Sequence, residues 1–239
     1  MRHLLAYHYR CHVRSYRYAA PLSLFLLALL FIYAQVPNPV MGSYAFSSSL
    51  LFLIMIWVCI GVMEGEEANQ DMILSLQAGS FLRLFASKLL YAWFFSLPLA
   101  AFAVLYPALF HKFARAPELS ELAFSFGSHM VMSVLGVGLA SLFNSRLIAS
   151  RSISYLLLLA AIALSFSGQG IRDKLPMPAN SLAWLSPPAW SMVRTLTQYD
   201  GAALAARIAA LAYPLLYGAV AAALAGQLMN RRKLDLPAK

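Results

Sequence analysis

The sequence predicts an all-α integral membrane protein with six transmembrane helices. Three observations predict it. The 239-residue chain is 61% hydrophobic and only 11% charged, whereas soluble domains carry about 25% charged residues. Its charges sit in clusters separated by apolar runs, each long enough to cross a bilayer at about 20 residues. The basic residues also gather on alternate connecting segments, as orientation in a membrane requires. Around the six spans the pattern adds an N-terminal amphipathic interfacial helix, a cytoplasmic helix between spans two and three, and short outer helices before span six. All of it reads as one transmembrane domain, residues 1–239.

Residues 1–19 are the interfacial element. At the helical period, Leu5, Ala6, Tyr9, Val13 and Tyr16 share one face, and Arg10, Arg14 and Arg17 share an adjoining flank with His3. A helix lying in the headgroup plane, its basic flank on acidic lipid, has this pattern. The alternative is a basic flank that only sets topology. His3, His8 and His12 do not share a face and bring no acidic partner, so ordinary interfacial histidines are expected rather than a metal site. No small-x-small cleavage pattern follows, so the next apolar run is kept as a span.

No Asp, Glu, Lys or Arg occurs between Arg17 and Glu64. That run holds two spans, 20–35 and 44–63, divided at Gln35–Ser43 by Pro37, Pro39 and Gly42. Further spans are expected at 86–108, 121–143, 152–169 and 204–229. With the N-terminus inside, the inner segments carry twelve of the 18 basic residues and the outer segments six: Lys112, Arg115, Arg172, Lys174, Arg194 and Arg207. Both termini are therefore expected in the cytoplasm. Pro98 is expected to kink the third span. Gly136, Gly138, Ala140 and Ser141 suit close helix contact in the fourth. His129 in that span is either a functional group or a neutral histidine bonded to a neighbouring backbone or hydroxyl group. Cys11 and Cys59 fall in a cytoplasmic segment and a span, so no disulfide is expected.

Segment 64–82 holds Glu64, Glu66, Glu67 and Asp71, four of the nine acidic residues. A helix from Glu67 to Ala78 would place Ala68, Met72, Ile73 and Leu76 on one face, with the acids at its rim. Gly79 can end this helix, and Ser80 can cap the next. The alternative is a solvated loop between two spans. Segment 170–200 carries Pro176, Pro178, Pro187, Pro188, Trp184 and Trp190, and is expected to form an outer re-entrant element with short helices.

Several activities are excluded. The dipeptide Gly-Lys never occurs, so the chain has no phosphate-binding P-loop and is not its own ATPase of that type. Ser165-Phe-Ser-Gly168 is followed by no histidine, and Glu66-Glu67 lacks an arginine partner four residues on, which argues against two kinds of intramembrane protease. No catalytic, cofactor or metal residue is assigned. The spans are expected to hold no buried charge for ion coupling. The net charge of +9 lies beside the spans, so no nucleic-acid partner is implied.

Four features in order resemble one family. They are the amphipathic helix ending in Arg14-Ser-Tyr-Arg17; the acidic stretch Glu64-Gly-Glu-Glu67 continuing through Leu74-Ser-Leu76 to Ser80 and Lys88; Ser141-Leu-Phe-Asn-Ser145; and Leu182-Ala-Trp-Leu-Ser-Pro-Pro-Ala-Trp190. The layout resembles the membrane subunit of an ABC exporter, of the ABC-2-type permease family. That resemblance implies a bacterial plasma-membrane exporter built from two permease subunits, as a homo- or heterodimer, and two soluble ATP-binding-cassette ATPase subunits. ATP and Mg would bind the ATPase. Glu64, Glu66, Glu67, Asp71, Met72, Ile73, Leu76 and Gly79 would form the coupling helix that contacts it. Cargo would be a hydrophobic or amphipathic molecule: a peptide, a lipid-like or a drug-like compound. The alternative is a non-transport polytopic membrane protein, either an assembly factor or an intramembrane enzyme.

Overall fold

The computed structural model describes residues 1–66, 68–144, 147–174, 176 and 186–231, without the side chains of 68 and 69. Among them it contains nine α-helices and no strand. These are α1 (Arg2–Ser15), α2 (Ala19–Ile32), α3 (Val40–Met63), α4 (Ala68–Ala78), α5 (Phe81–Leu109), α6 (Leu119–Leu142), α7 (Arg151–Lys174), α8 (Ala189–Thr197) and α9 (Leu204–Arg231). Helices α3, α5, α6, α7 and α9 are each long and apolar enough to cross a membrane. A sixth span is available if α1 and α2, bent by 79° at Tyr16, count as one. Taken alone, α2 has 14 residues, about 21 Å of helix, which is short of a bilayer core. The chain is thus a helical protein of multi-pass membrane type.

Several expected boundaries move. Span two starts at Val40 rather than 44, directly after Pro39, whose fixed φ suits the cap position. Span three starts at Phe81 rather than 86 because Ser80 caps it: Ser80 Oγ accepts from Arg83 N–H at 3.2 Å. It continues unbroken through Pro98 and Pro107. Helix α7 runs to Lys174, five residues past the expected end. In segment 170–200 the described elements are the end of α7, helix α8 with Pro188 as its N-cap, and the start of a 3-10 turn at Tyr199–Gly201. Trp184, Glu67 and the basic tail lie outside the described residues.

Helix α6 is the centre of the bundle. On one side it meets α3, where a Cβ added at Gly136 would approach the Phe52 carbonyl oxygen to 2.6 Å. On the other it meets α9, where a Cβ at Gly138 would strike the Gly218 backbone and one at Gly218 would come within 2.7 Å of Val134 O. Absent side chains let the two backbones touch, the small-residue packing expected for this span. Phe52, Met55, Met132 and Leu135 are fully buried around these contacts. His129 is buried here too. Its Nδ1 lies 2.7 Å from Ser125 O and its Nε2 2.9 Å from Ser47 Oγ. It is the satisfied core histidine, with backbone and hydroxyl partners.

One end of the bundle carries the α2–α3, α5–α6 and α8–α9 connections. There Asn38 N–H donates to Lys112 O at 3.1 Å and Ala114 N–H donates to Asn38 O at 2.9 Å. Arg115 pairs with Glu121, whose carboxylate also accepts from Glu118 N–H in a capping box at the start of α6. Burial of Glu121 inside α6 departs from the expectation of spans without buried charge. Helix α7 is the least enclosed of the five span-length helices: Leu156, Leu157, Leu159 and Leu164 point outward. Its Gly168 lies beneath the Trp190 indole of α8.

Candidate functional site at the Glu64–Lys88 corner

At the opposite end, α3, α4, α5 and α1 converge. Helix α3 ends at Met63, and Glu64 N–H closes its last turn on Ile60 O at 2.9 Å. Helix α4 follows. It ends at Gly79, which takes φ +79°, a left-handed conformation that glycine adopts without penalty. The chain reverses there, and α5 returns along α4. The reversal brings Lys88, in the second turn of α5, back onto Asp71, in the first turn of α4.

Lys88 Nζ donates to Asp71 Oδ1 at 2.7 Å. It also lies 2.7 Å from Glu66 Oε2, at ion-pair distance but outside hydrogen-bond geometry. Lys88 and Asp71 are each 3% exposed. A buried cation of this kind persists only with anionic partners close by. Two carboxylates, Glu66 and Asp71, face the one ammonium of Lys88.

Helix α1 closes the corner with two parallel rungs. His8 Nε2 lies 2.9 Å from Ser87 Oγ, and His12 Nδ1 lies 2.9 Å from Tyr91 OH. His8 and His12 are four residues apart, as are Ser87 and Tyr91, so each pair occupies one helical face. His8 Nδ1 also stands 3.8 Å from Glu66 Oε1. Burial depresses the His8 pKa to about 4, against the opposing pull of Glu66. Burial depresses that of His12 as well, with Arg17 adding to the effect. Both imidazoles are therefore neutral at pH 7. Burial, with Cys11 and Glu66 nearby, raises the Tyr7 pKa. Arg17 Nη1 donates to Glu64 O at 3.1 Å, tying the α1–α2 bend to the end of α3.

The expected arrangement of the acids is corrected by this geometry. Glu66 and Asp71 are not at the rim of an external face; they turn inward onto Lys88. His8 and His12 are not ordinary interfacial histidines: both are buried and face Ser87 and Tyr91. The apolar face behaves differently from the acids. Met72, Ile73 and Leu76 are 49%, 57% and 78% exposed, an unusual display for a short helix whose other side is anchored in the protein. Arg10 and Arg14 are exposed, as are Tyr9, Val13 and Tyr16. The four-residue spacings of His8 with His12 and Ser87 with Tyr91 were the available signal for the two rungs. No three His, Cys, Asp or Glu side chains among the described residues are grouped to hold a metal ion.

Comparison with protein-family models, with curated proteins and with solved structures returned no match.

Proposed function

We propose that the chain is the membrane-spanning permease subunit of an ATP-driven exporter of the ABC-2 type, working with a second permease subunit and two copies of a separate ATPase. The observation that carries this reading is the exposed Met72–Ile73–Leu76 face on a helix anchored from behind by Asp71 and Lys88. An exposed apolar surface on a short external helix suits a protein partner. The anchor supplies a mechanical route. A displacement of α4 pulls on Lys88, and Lys88 belongs to α5, one of the span-length helices. The His8–Ser87 and His12–Tyr91 rungs extend that route to α1. ATP and Mg would be held by the partner, and its closing would supply the displacement. A hydrophobic or amphipathic cargo fits the apolar spans.

The test is reconstitution with an ATP-binding-cassette subunit and cross-linking from a cysteine placed at Leu76. A cross-link to the ATPase, together with ATP hydrolysis stimulated by the chain, supports the reading. A chain that forms no such complex and displays an activity of its own would instead be a non-transport membrane protein.

A further inference from the structure

A cleft of about 710 Å³ opens between α8 and α9, at the end of the bundle remote from Lys88. Its volume is within the ordinary range of small-molecule sites, about 300–1,000 Å³. The floor is Ala206, Ala209, Ala210 and Tyr213, one face of α9. Because α9 is long and apolar enough to span a bilayer, that floor descends from the mouth toward hydrocarbon depth.

Two guanidiniums flank the floor, Arg172 from the last turn of α7 and Arg194 from α8. Neither has a carboxylate within ion-pair distance among the described residues. Among the described residues the Arg194 side chain makes one hydrogen bond, Nε to Gln198 Oε1 at 3.4 Å, which leaves its terminal nitrogens for a ligand. The other arginines at this end are committed. Arg115 is paired with Glu121. Arg207 donates to Ala202 O and Tyr199 O and stacks on the Tyr199 ring at 3.8 Å. Asp200 also lines the cleft, so its charge balance is two cations to one anion.

We propose that this cleft binds an anionic phospholipid from the surrounding bilayer, its phosphate between Arg172 and Arg194 and an acyl chain along the alanine floor. Guanidinium is the side chain best suited to a phosphate oxygen pair. The three alanines of the floor leave width for an acyl chain beside them. The assignment needs only a bilayer around the protein, so it stands or falls separately from the exporter reading.

The experiment uses the full chain in detergent, with native mass spectrometry of bound phosphatidylglycerol against phosphatidylcholine of the same acyl chains. Phosphatidylglycerol should bind about tenfold more tightly, roughly the effect of one charge-assisted contact. The double variant R172Q/R194Q should bring it down to the phosphatidylcholine level. Ala206→Trp should weaken both lipids by filling the floor. Inorganic phosphate at millimolar concentration should displace neither, which separates a lipid site from a free-anion site. Equal binding of the two lipids by the wild-type chain overturns the proposal without any variant, as does a preference that survives R172Q/R194Q. Displacement by phosphate alone overturns it too. So does a disulfide between Ala206→Cys positions of two copies in a bilayer, which would make the cleft a contact between chains. Should the double variant fail to fold, Arg172→Gln, at an exposed position, carries the same comparison.

Discussion

Lys88 and Asp71 meet at 2.7 Å across the Gly79 turn, with both side chains buried. Truncating one side of a buried charge group leaves the other side without compensation. Lys88→Met should therefore destabilise the chain by about 3–5 kcal/mol. The triple change Lys88→Met, Asp71→Asn and Glu66→Gln should recover much of that loss. Thermal unfolding in detergent measures both. A single variant as stable as wild type would show that the cluster is not held by charge.

Acidification should loosen the docking of α1. The folded-state pKa of His8 is about 4, below its ordinary value near 6.5. A base whose pKa is depressed on folding contributes stability that is complete above the ordinary value and is lost as pH falls toward the folded one. Burial of His12 acts with the same sign. The unfolding temperature should fall between about pH 6.5 and pH 4, and His8→Gln should flatten that slope. An identical pH profile in the variant would place the acid sensitivity elsewhere.

The α6–α9 contact should tolerate nothing larger than hydrogen at its centre. Gly138→Ala drives a methyl into the Gly218 backbone, and overpacking of this kind costs about 1–3 kcal/mol. Gly61→Ala is the control. It has open space around it in the same bundle and lies within a helix, so it should be neutral or stabilising by up to about 1 kcal/mol. Equal effects at the two positions would contradict the backbone contact.

Exposure separates folding from partner binding on α4. Leu76→Asp changes a residue that is 78% exposed, so its effect on stability should stay within about 0.5 kcal/mol. Under the exporter proposal the same change should abolish stimulation of the ATPase. Retention of full stimulation by Leu76→Asp and Ile73→Asp would remove α4 as the contact.

The five span-length helices were legible in the sequence because apolar length and charge gaps report membrane burial directly, whereas the expected span 20–35 is the shorter helix α2. The end signals worked where a residue acts on its own backbone, as Gly79 and Ser80 do. The glycines of α6 and the Ala- and Gly-rich character of α9 were legible as small-residue packing, but the pairing of Gly138 with Gly218 was not. The corner was misread for a different reason. Periodicity assigns a charged residue to a surface, and it cannot tell water from a buried counter-charge. Asp71 and Lys88 are 17 positions apart, and only the Gly79 reversal makes them neighbours. His8 and His12 are satisfied by hydroxyl groups 79 residues away, partners that the local pattern of α1 does not report.

The touching backbones at Gly138 and Gly218 also constrain descent. A lineage can exchange one aliphatic side chain for another along most of α6 and α9, since lipid or a neighbouring methyl will accommodate it. These two positions have no such latitude, because each is filled by the main chain of the other helix. Loss of either glycine would require the helices to part, and Phe52, packed beside Gly136 on the far side of α6, would have to follow. Divergent homologues that keep this bundle should therefore retain both glycines after the surrounding sequence has drifted beyond recognition.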